Sequence, residues 1–330
     1  MKRITINRLA LSISAAAMLP GCGGSQPPIG APSATSYGAP RHIAAHPAPT
    51  TAKDAWSGDL LYVATGGDVY ILLYPSGKVV GRLGVEYADN LCSDKAGDVF
   101  VVQGAYETVL EYSHRGKLLQ TLQTYDVPQS CSVDPTTGNL AVPTVDYSCV
   151  YIYPNARPPA QSVCNDPFVI VGLCAYDSHG NLFLDGAAGG GPHHSYVPYL
   201  AELPKGSAKF RNYPLSQPQF QYQDYDSVNW DGTHITLSNP STHSIYRMHV
   251  ARKAKIVGTT HVHGWVGGFC CNAGGTQTWL KDGSFIAQWH SNPQLAIWSY
   301  PAGGKPTKVL PAFASSGTSV DGVVLSLAPH

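Results

Sequence analysis

Three carboxylates, Asp89, Asp224 and Asp321, are the first candidates for chemistry. They fall at one equivalent position when the chain is aligned on a recurring Gly-Asp or Gly-Asn turn, with Asn90, Gln129 and Asp226 as neighbouring oxygen donors. Acids converging on a narrow mouth repel one another, and a hard cation such as Ca²⁺ relieves that repulsion by taking oxygen ligands at short range. The competing reading is that these acids cap turns or stand in bulk water. Histidines form a second set. His261 and His263 are two apart, so on a strand they face the same side, while His193 and His194 follow a Gly-Gly-Gly-Pro run that reads as a loop reaching over a face. Aromatic residues form a third, dense between 219 and 230 and including Tyr222 and Trp230. Flat rings beside amides and acids suit sugar or peptide binding, and they suit packing between sheets equally well. His193, His194, Tyr222 and Trp230 are therefore the candidate ligand-face residues. The chain has no HExxH, no GxSxG elbow, no Walker loop and no dinucleotide fingerprint. Without a catalytic constellation, the first expectation is a binding or scaffold module, and the second a metal-dependent hydrolase or lyase of small cyclic compounds.

The eight cysteines carry a different chemistry. Cys149 and Cys164 flank the turn around Asn155 to Pro158, which sets them opposite each other on a hairpin and predicts a cross-strand disulfide. Cys92, Cys131 and Cys174 take matching places in three successive units, so one neighbouring pair is expected to bond and leave the third over. Cys270 and Cys271 are adjacent, and no CxxC pairing of the kind that binds zinc occurs.

What positions these residues is a repeat. A turn leading into an apolar strand recurs at Gly58-Asp59, Gly97-Asp98, Gly138-Asn139, Gly180-Asn181, Gly232-Thr233 and Gly283-Ser284. Glycine followed by a short polar residue supplies the positive φ of a tight hairpin. A second marker follows, as in Tyr74-Pro75-Ser76-Gly77, Tyr112-Ser113-His114-Arg115-Gly116, Tyr153-Pro154-Asn155, Leu203-Pro204-Lys205-Gly206 and Tyr300-Pro301-Ala302-Gly303, with a weaker version at 248–253 in the fifth unit. Between the markers lie apolar runs of strand length, so each unit reads as four short antiparallel strands. A period near forty residues with four strands predicts an all-β, six-bladed β-propeller. The first unit begins at its second strand, around 60–64, and the chain finishes with an unmatched strand at 322–327. Pairing the two completes the first blade, closes the ring and removes the exposed sheet edges.

The segments 90–101 and 130–142, reading NLCSDKAGDVFV and SCSVDPTTGNLAV, resemble those of bacterial six-bladed propellers of the NHL and SMP-30/gluconolactonase-like group. The likeness covers 54–330 as architecture. It implies a mouth where the gluconolactonase-like enzymes hold calcium with a Glu, two Asn and an Asp. Here Pro128 and Val171 occupy two of the six equivalent positions, so that ligand set has no residue-by-residue match. No Gly-His to Trp-Asp pairing of the WD40 type is present.

The N-terminal end gives an address. Lys2, Arg3 and Arg8 precede the short apolar stretch 9–19, and Leu19-Pro20-Gly21-Cys22 resembles a bacterial lipobox. The resemblance implies a signal peptide at 1–21 and an acylated Cys22. It implies attachment to a membrane through the N-terminal lipid on the extracytoplasmic side, at the outer membrane or cell surface. An ordinary cleaved signal peptide is the alternative. Residues 22–53 are Gly, Pro, Ala, Ser and Thr with almost no large apolar side chain, the composition of a flexible tether. The propeller follows at 54–330. Acids and bases balance at 21 each and only 13% of residues are charged, which gives no electrostatic footprint for nucleic acid. Another protein or an envelope glycan is the expected partner.

Overall fold

A computed structural model describes residues 56–145, 148–166, 168–189, 196–215, 220, 227–239, 242–265, 277–279, 283–289 and 293–329. They form six four-stranded antiparallel sheets in a ring, a six-bladed β-propeller. From the innermost strand outward, blade one is β24 (Gly322–Ser326), β1 (Leu60–Ala64), β2 (Val69–Leu73) and β3 (Lys78–Leu83). Blade two is β4 (Asn90–Ser93), β5 (Val99–Gln103), β6 (Thr108–Tyr112) and β7 (Leu118–Gln123). Blade three is β8 (Ser132–Val133), β9 (Leu140–Pro143), β10 (Cys149–Tyr153) and β11 (Gln161–Cys164). Blade four is β12 (Phe168–Tyr176), β13 (Leu182–Gly189), β14 (Tyr196–Leu203) and β15 (Arg211–Pro214). Blade five is β16 (Ser227–Trp230), β17 (Ile235–Asn239), β18 (Ser244–Val250) and β19 (Ala254–His261). Blade six is β20 (Gln277–Trp279), β21 (Phe285–Gln288), β22 (Leu295–Trp298) and β23 (Lys308–Val309).

Strands that run up and down in this order give the ring two unlike ends. Turns between first and second strands, and between third and fourth, lie on one face, the base. Connections from second to third strand, and from each outermost strand to the next blade, lie on the other, the mouth. The repeated Gly-Asp and Gly-Asn markers all stand at the base, and in blades two to five they form the turn between first and second strands. Their leading aspartates make them self-capping. Asp94 accepts hydrogen bonds from the backbone N–H groups of Ala96 and Asp98, Asp177 from His179 and Asn181, and Asp231 from Thr233 and His234. At Gly97, with φ +84°, a Cβ would also stand 2.2 Å from the Leu327 carbonyl oxygen, so only glycine fits.

The second strand of each blade is almost wholly buried and the fourth mostly exposed, the gradient expected of sheets packed face to face around an axis. Apolar side chains from successive blades share common clusters. Leu61, Val63 and Val323 of blade one meet Ile286, Leu295 and Ile297 of blade six. Leu60, Tyr62 and Val324 meet Leu91, Val99 and Val101 of blade two.

The C-terminal strand closes the ring as the sequence predicts. β24 pairs antiparallel with β1 from Leu60↔Ser326 to Ala64↔Gly322. Blade two fastens that seam. The buried His114 places Nδ1 2.7 Å from Ser326 Oγ and Nε2 3.1 Å from the Gly58 carbonyl, while Tyr62 donates its hydroxyl proton to the His114 carbonyl at 2.8 Å. Disulfides add covalent ties. Cys149 and Cys164 are paired in register and bonded within blade three. Cys92 of β4 is bonded to Cys131, which immediately precedes β8, and so ties blade two to blade three with Cα atoms 5.7 Å apart. Cys174, the third of the matching set, is a buried free thiol pushed up to about 12 by desolvation. Cys270 and Cys271 lie outside the described residues.

Candidate functional site

Above blades one and two the mouth loops bring two carboxyls together. Asp321 immediately precedes β24 and its backbone N–H donates to Ala64 O at 2.9 Å. Asp89 immediately precedes β4 and donates likewise to Val102 O at 2.9 Å. Each acid leans over a glycine of the neighbouring second-to-third-strand loop. Gly104 donates its N–H to Asp89 Oδ2 at 2.7 Å, and a Cβ at Gly66 would come within 3.1 Å of Asp321 Oδ2. Burial raises the Asp89 carboxyl above its ordinary range, partly offset by the Gly104 hydrogen bond. Burial pushes Asp321 up to about 6, the Ser319 hydroxyl works against that, and the nearby Asp89 charge adds to it.

Beside these acids stand exposed tyrosines. Tyr87 holds a left-handed backbone with φ 55°, a costly conformation for a bulky residue. Its N–H donates to Gly66 O, and its ring meets Tyr106 edge to face with centroids 5.5 Å apart. Tyr106 belongs to a single 3-10 turn, Gly104–Tyr106, and donates its hydroxyl proton to Glu86 Oε2 at 2.9 Å. Gln103 fixes the base of the loop by donating to Glu86 O at 2.6 Å and accepting from Thr108 Oγ1 at 3.0 Å. Over blade three Tyr125 lies beside Tyr151, centroids 5.5 Å apart. Tyr125 is 68% exposed and Tyr87 53%, so both rings offer a face to solvent. The arrangement places aromatic rings and carboxyls on mouth loops of three successive blades, while the Gln103 amide is buried and holds the loop.

Of the residues the sequence singled out, Asp89 and Asp321 are therefore brought together. Asp224, Tyr222, His193, His194 and Cys22 lie outside the described residues. Among the described residues no group of three or more His, Cys, Asp or Glu side chains is placed to hold a metal ion. Trp230 is half-buried against the cluster of Phe220, Val228, Ile235 and Tyr246, at the base end of β16. It belongs to the packing between blades four and five. His261 and His263 are exposed at the outer edge of blade five, where His261 Nδ1 lies 2.9 Å from Ser244 Oγ.

Tyr87, Tyr106 and Tyr125 escaped the sequence reading, which followed aromatic density to 219–230. The signal that finds them is positional: two of the three stand in loops that lead into innermost strands. A further carboxyl escaped it too. Asp185 of β13 is buried, and a bulge in β12 aims the Leu173 N–H at its Oδ1. Desolvation pushes Asp185 up to about 7.

No protein-family model matches the chain, and no curated protein matches it in sequence. Solved structures resemble it in fold. A chain of a nidogen/laminin complex superposes with TM-score 0.61 at 11% identity, covering 83% of this chain and 100% of that one. A protein of unknown function from Bacteroides caccae gives TM-score 0.58 at 13% identity, covering 82% and 99%. A streptogramin B lyase gives 0.49 at 9% identity, covering 80% and 77%. Identities this low show shared architecture, and architecture alone does not carry an activity. The two disulfides point to an oxidising compartment outside the cytosol.

Proposed function

We propose that this chain is an extracytoplasmic binding module whose mouth face takes an envelope glycan, presented on the N-terminal tether and held to the membrane through acylated Cys22. The observation that carries the reading is the arc of Tyr87, Tyr106 and Tyr125 beside Asp89 and Asp321. Exposed rings forgo burial worth roughly 1.5 to 3 kcal/mol for a large side chain. Strain at Tyr87 adds a cost of order 1–3 kcal/mol, and such strain concentrates at ligand sites. Aromatic faces stack on the C–H faces of sugar rings. Carboxyls and amides set at the edge bond the hydroxyls and fix orientation. Isothermal calorimetry of the purified chain with soluble peptidoglycan fragments is the test. Binding should weaken at least about tenfold in Tyr87→Ala and in Tyr125→Ala, with melting temperature unchanged. Equal affinity in both variants and the parent would overturn the assignment.

The charge interaction of Asp89 with Asp321 favours a second reading, a calcium-dependent hydrolase or lyase of small cyclic compounds with Asp224 as the third ligand. A cation binding only the folded state at about 100 times its Kd adds roughly 2.7 kcal/mol. Calcium should then raise the melting temperature of the parent and lose that effect in Asp321→Asn. A parent insensitive to calcium removes this reading.

A further inference from the structure

The two faces of the ring differ in the sign of their exposed charge. At the base, the turns of four blades project Arg115, Lys117, Lys205, Arg252, Lys253 and Lys305, all exposed. The aspartates of the same face, among them Asp94, Asp134, Asp177 and Asp231, are buried or half-buried and spend their oxygens on the backbone of their own turns. At the mouth the pattern reverses. Glu86, Glu107 and Asp166 are exposed, and no Lys or Arg occupies a described loop there. Arg82, on the outermost strand near that rim, is ion-paired with Asp68. The chain before Trp56 joins the ring at the base, because β1 runs from base to mouth.

We infer that the base of the propeller is a docking face for an anionic phospholipid bilayer. A body with positive charge at one end and negative at the other orients itself in the field of anionic headgroups. Here the base would turn toward the lipid and the mouth, with its tyrosines, outward. Trp56, the first described residue, leads into β1 at the same end as the basic turns. Each Lys or Arg brought near such a surface strengthens binding by about fivefold, and the attraction fades over about 10 Å at 0.1 M salt. This inference is independent of the glycan assignment and stands or falls separately from it.

Co-sedimentation of the full chain with vesicles tests it, comparing pure phosphatidylcholine with a 7:3 mixture of phosphatidylcholine and phosphatidylglycerol. Insertion of the N-terminal apolar stretch with Lys2, Arg3 and Arg8 is common to the parent and its base variants, so it cancels in the comparison between them. The chain should prefer phosphatidylglycerol vesicles by on the order of a hundredfold at low salt and lose the preference in 0.5 M salt. Arg115→Glu, Lys117→Glu, Arg252→Glu and Lys253→Glu together should abolish the preference, and Glu86→Gln with Glu107→Gln should not lower it. Should the reversed chain melt early, the same four positions as Gln give the milder comparison. Equal partition into both vesicles, an undiminished preference in the folded base variants, or tighter binding to soluble polyphosphate than to the vesicles would overturn the proposal.

Discussion

Base turns and mouth loops are equally numerous in a closed up-and-down ring, yet they answer to different constraints. At the base, Asp94 and Asp177 cap their own turns in the same way, Asp231 caps a shorter version, and glycines follow at positive φ. At the mouth the described loops of blades one to three are each built differently. Blade two uses a 3-10 turn with Glu107 at φ 52°, blade one the pair Gly66-Gly67, and blade three the bridge Pro128↔Thr144. Identical chemistry recurs where the fold needs a reversal and nothing else. Departures from it gather where exposed tyrosines and half-buried acids lie, and local strain is tolerated there because the rigid sheets beneath over-determine it.

The largest effects should follow from breaking the skeleton. Deleting 318–330 removes β24, with Val323, Val324 and Leu325 and the partner of His114, and exposes the edge of β1. A loss above about 5 kcal/mol is expected, seen in urea as the absence of a cooperative transition. The disulfides rank next. Cys92→Ser with Cys131→Ser opens a span of 39 residues and should cost about 4 kcal/mol. Cys149→Ser with Cys164→Ser opens one of 15 and should cost about 3 kcal/mol. The reverse ranking in denaturant melts would show that blade three, not the joint between blades, is the weaker unit. Gly97→Ala, at the base, should cost about 2 kcal/mol or more, because the Leu327 carbonyl in its way is backbone.

The same contrast explains what was legible in the sequence. Fold, blade number, strand order and closure were readable because one sequence marker repeats six times, each time ahead of an apolar run. The Cys149–Cys164 pairing was readable from symmetry about its hairpin. Of the three matching cysteines, the sequence left the pairing open, and only packing between blades selects Cys92 with Cys131. Asp89 and Asp321 were found because repeat alignment carries a position from blade to blade. The tyrosines were not, since single loop tyrosines carry no density signal and only their place in the loops before innermost strands marks Tyr87 and Tyr125. Asp185 was missed because its role depends on a bulge in another strand, which no periodicity announces.

Smaller effects separate the mouth from the skeleton by pH. Asp321 and Asp185 have folded-state values of about 6 and about 7, above an unfolded value of 3.8. The unfolded chain therefore releases these protons first, and the contribution of these two groups is full below about pH 4 and is lost as pH rises toward 6 and 7. Asp321→Asn removes its share. Because that carboxyl is partly in water, a gain of about 1 kcal/mol at pH 8 and none at pH 4 is expected. Asp185→Asn keeps an oxygen for the Leu173 N–H and should flatten the decline up to pH 7. Thermal melts from pH 4 to 8 provide the check, and variants that melt in parallel with the parent would contradict both assignments. Smallest of all, Tyr125→Ala should change stability by less than about 0.5 kcal/mol, since its ring is mostly exposed.

Hydrogen–deuterium exchange of the full chain, with and without saturating soluble peptidoglycan fragments, tests the division between the two faces most directly. Protection should appear at 84–89, 104–107 and 124–127, leave the base turns at 94–98 and 113–117 unchanged, and vanish in Tyr87→Ala with Tyr125→Ala. Protection at the base turns, or none anywhere at saturation, would contradict a glycan-binding mouth.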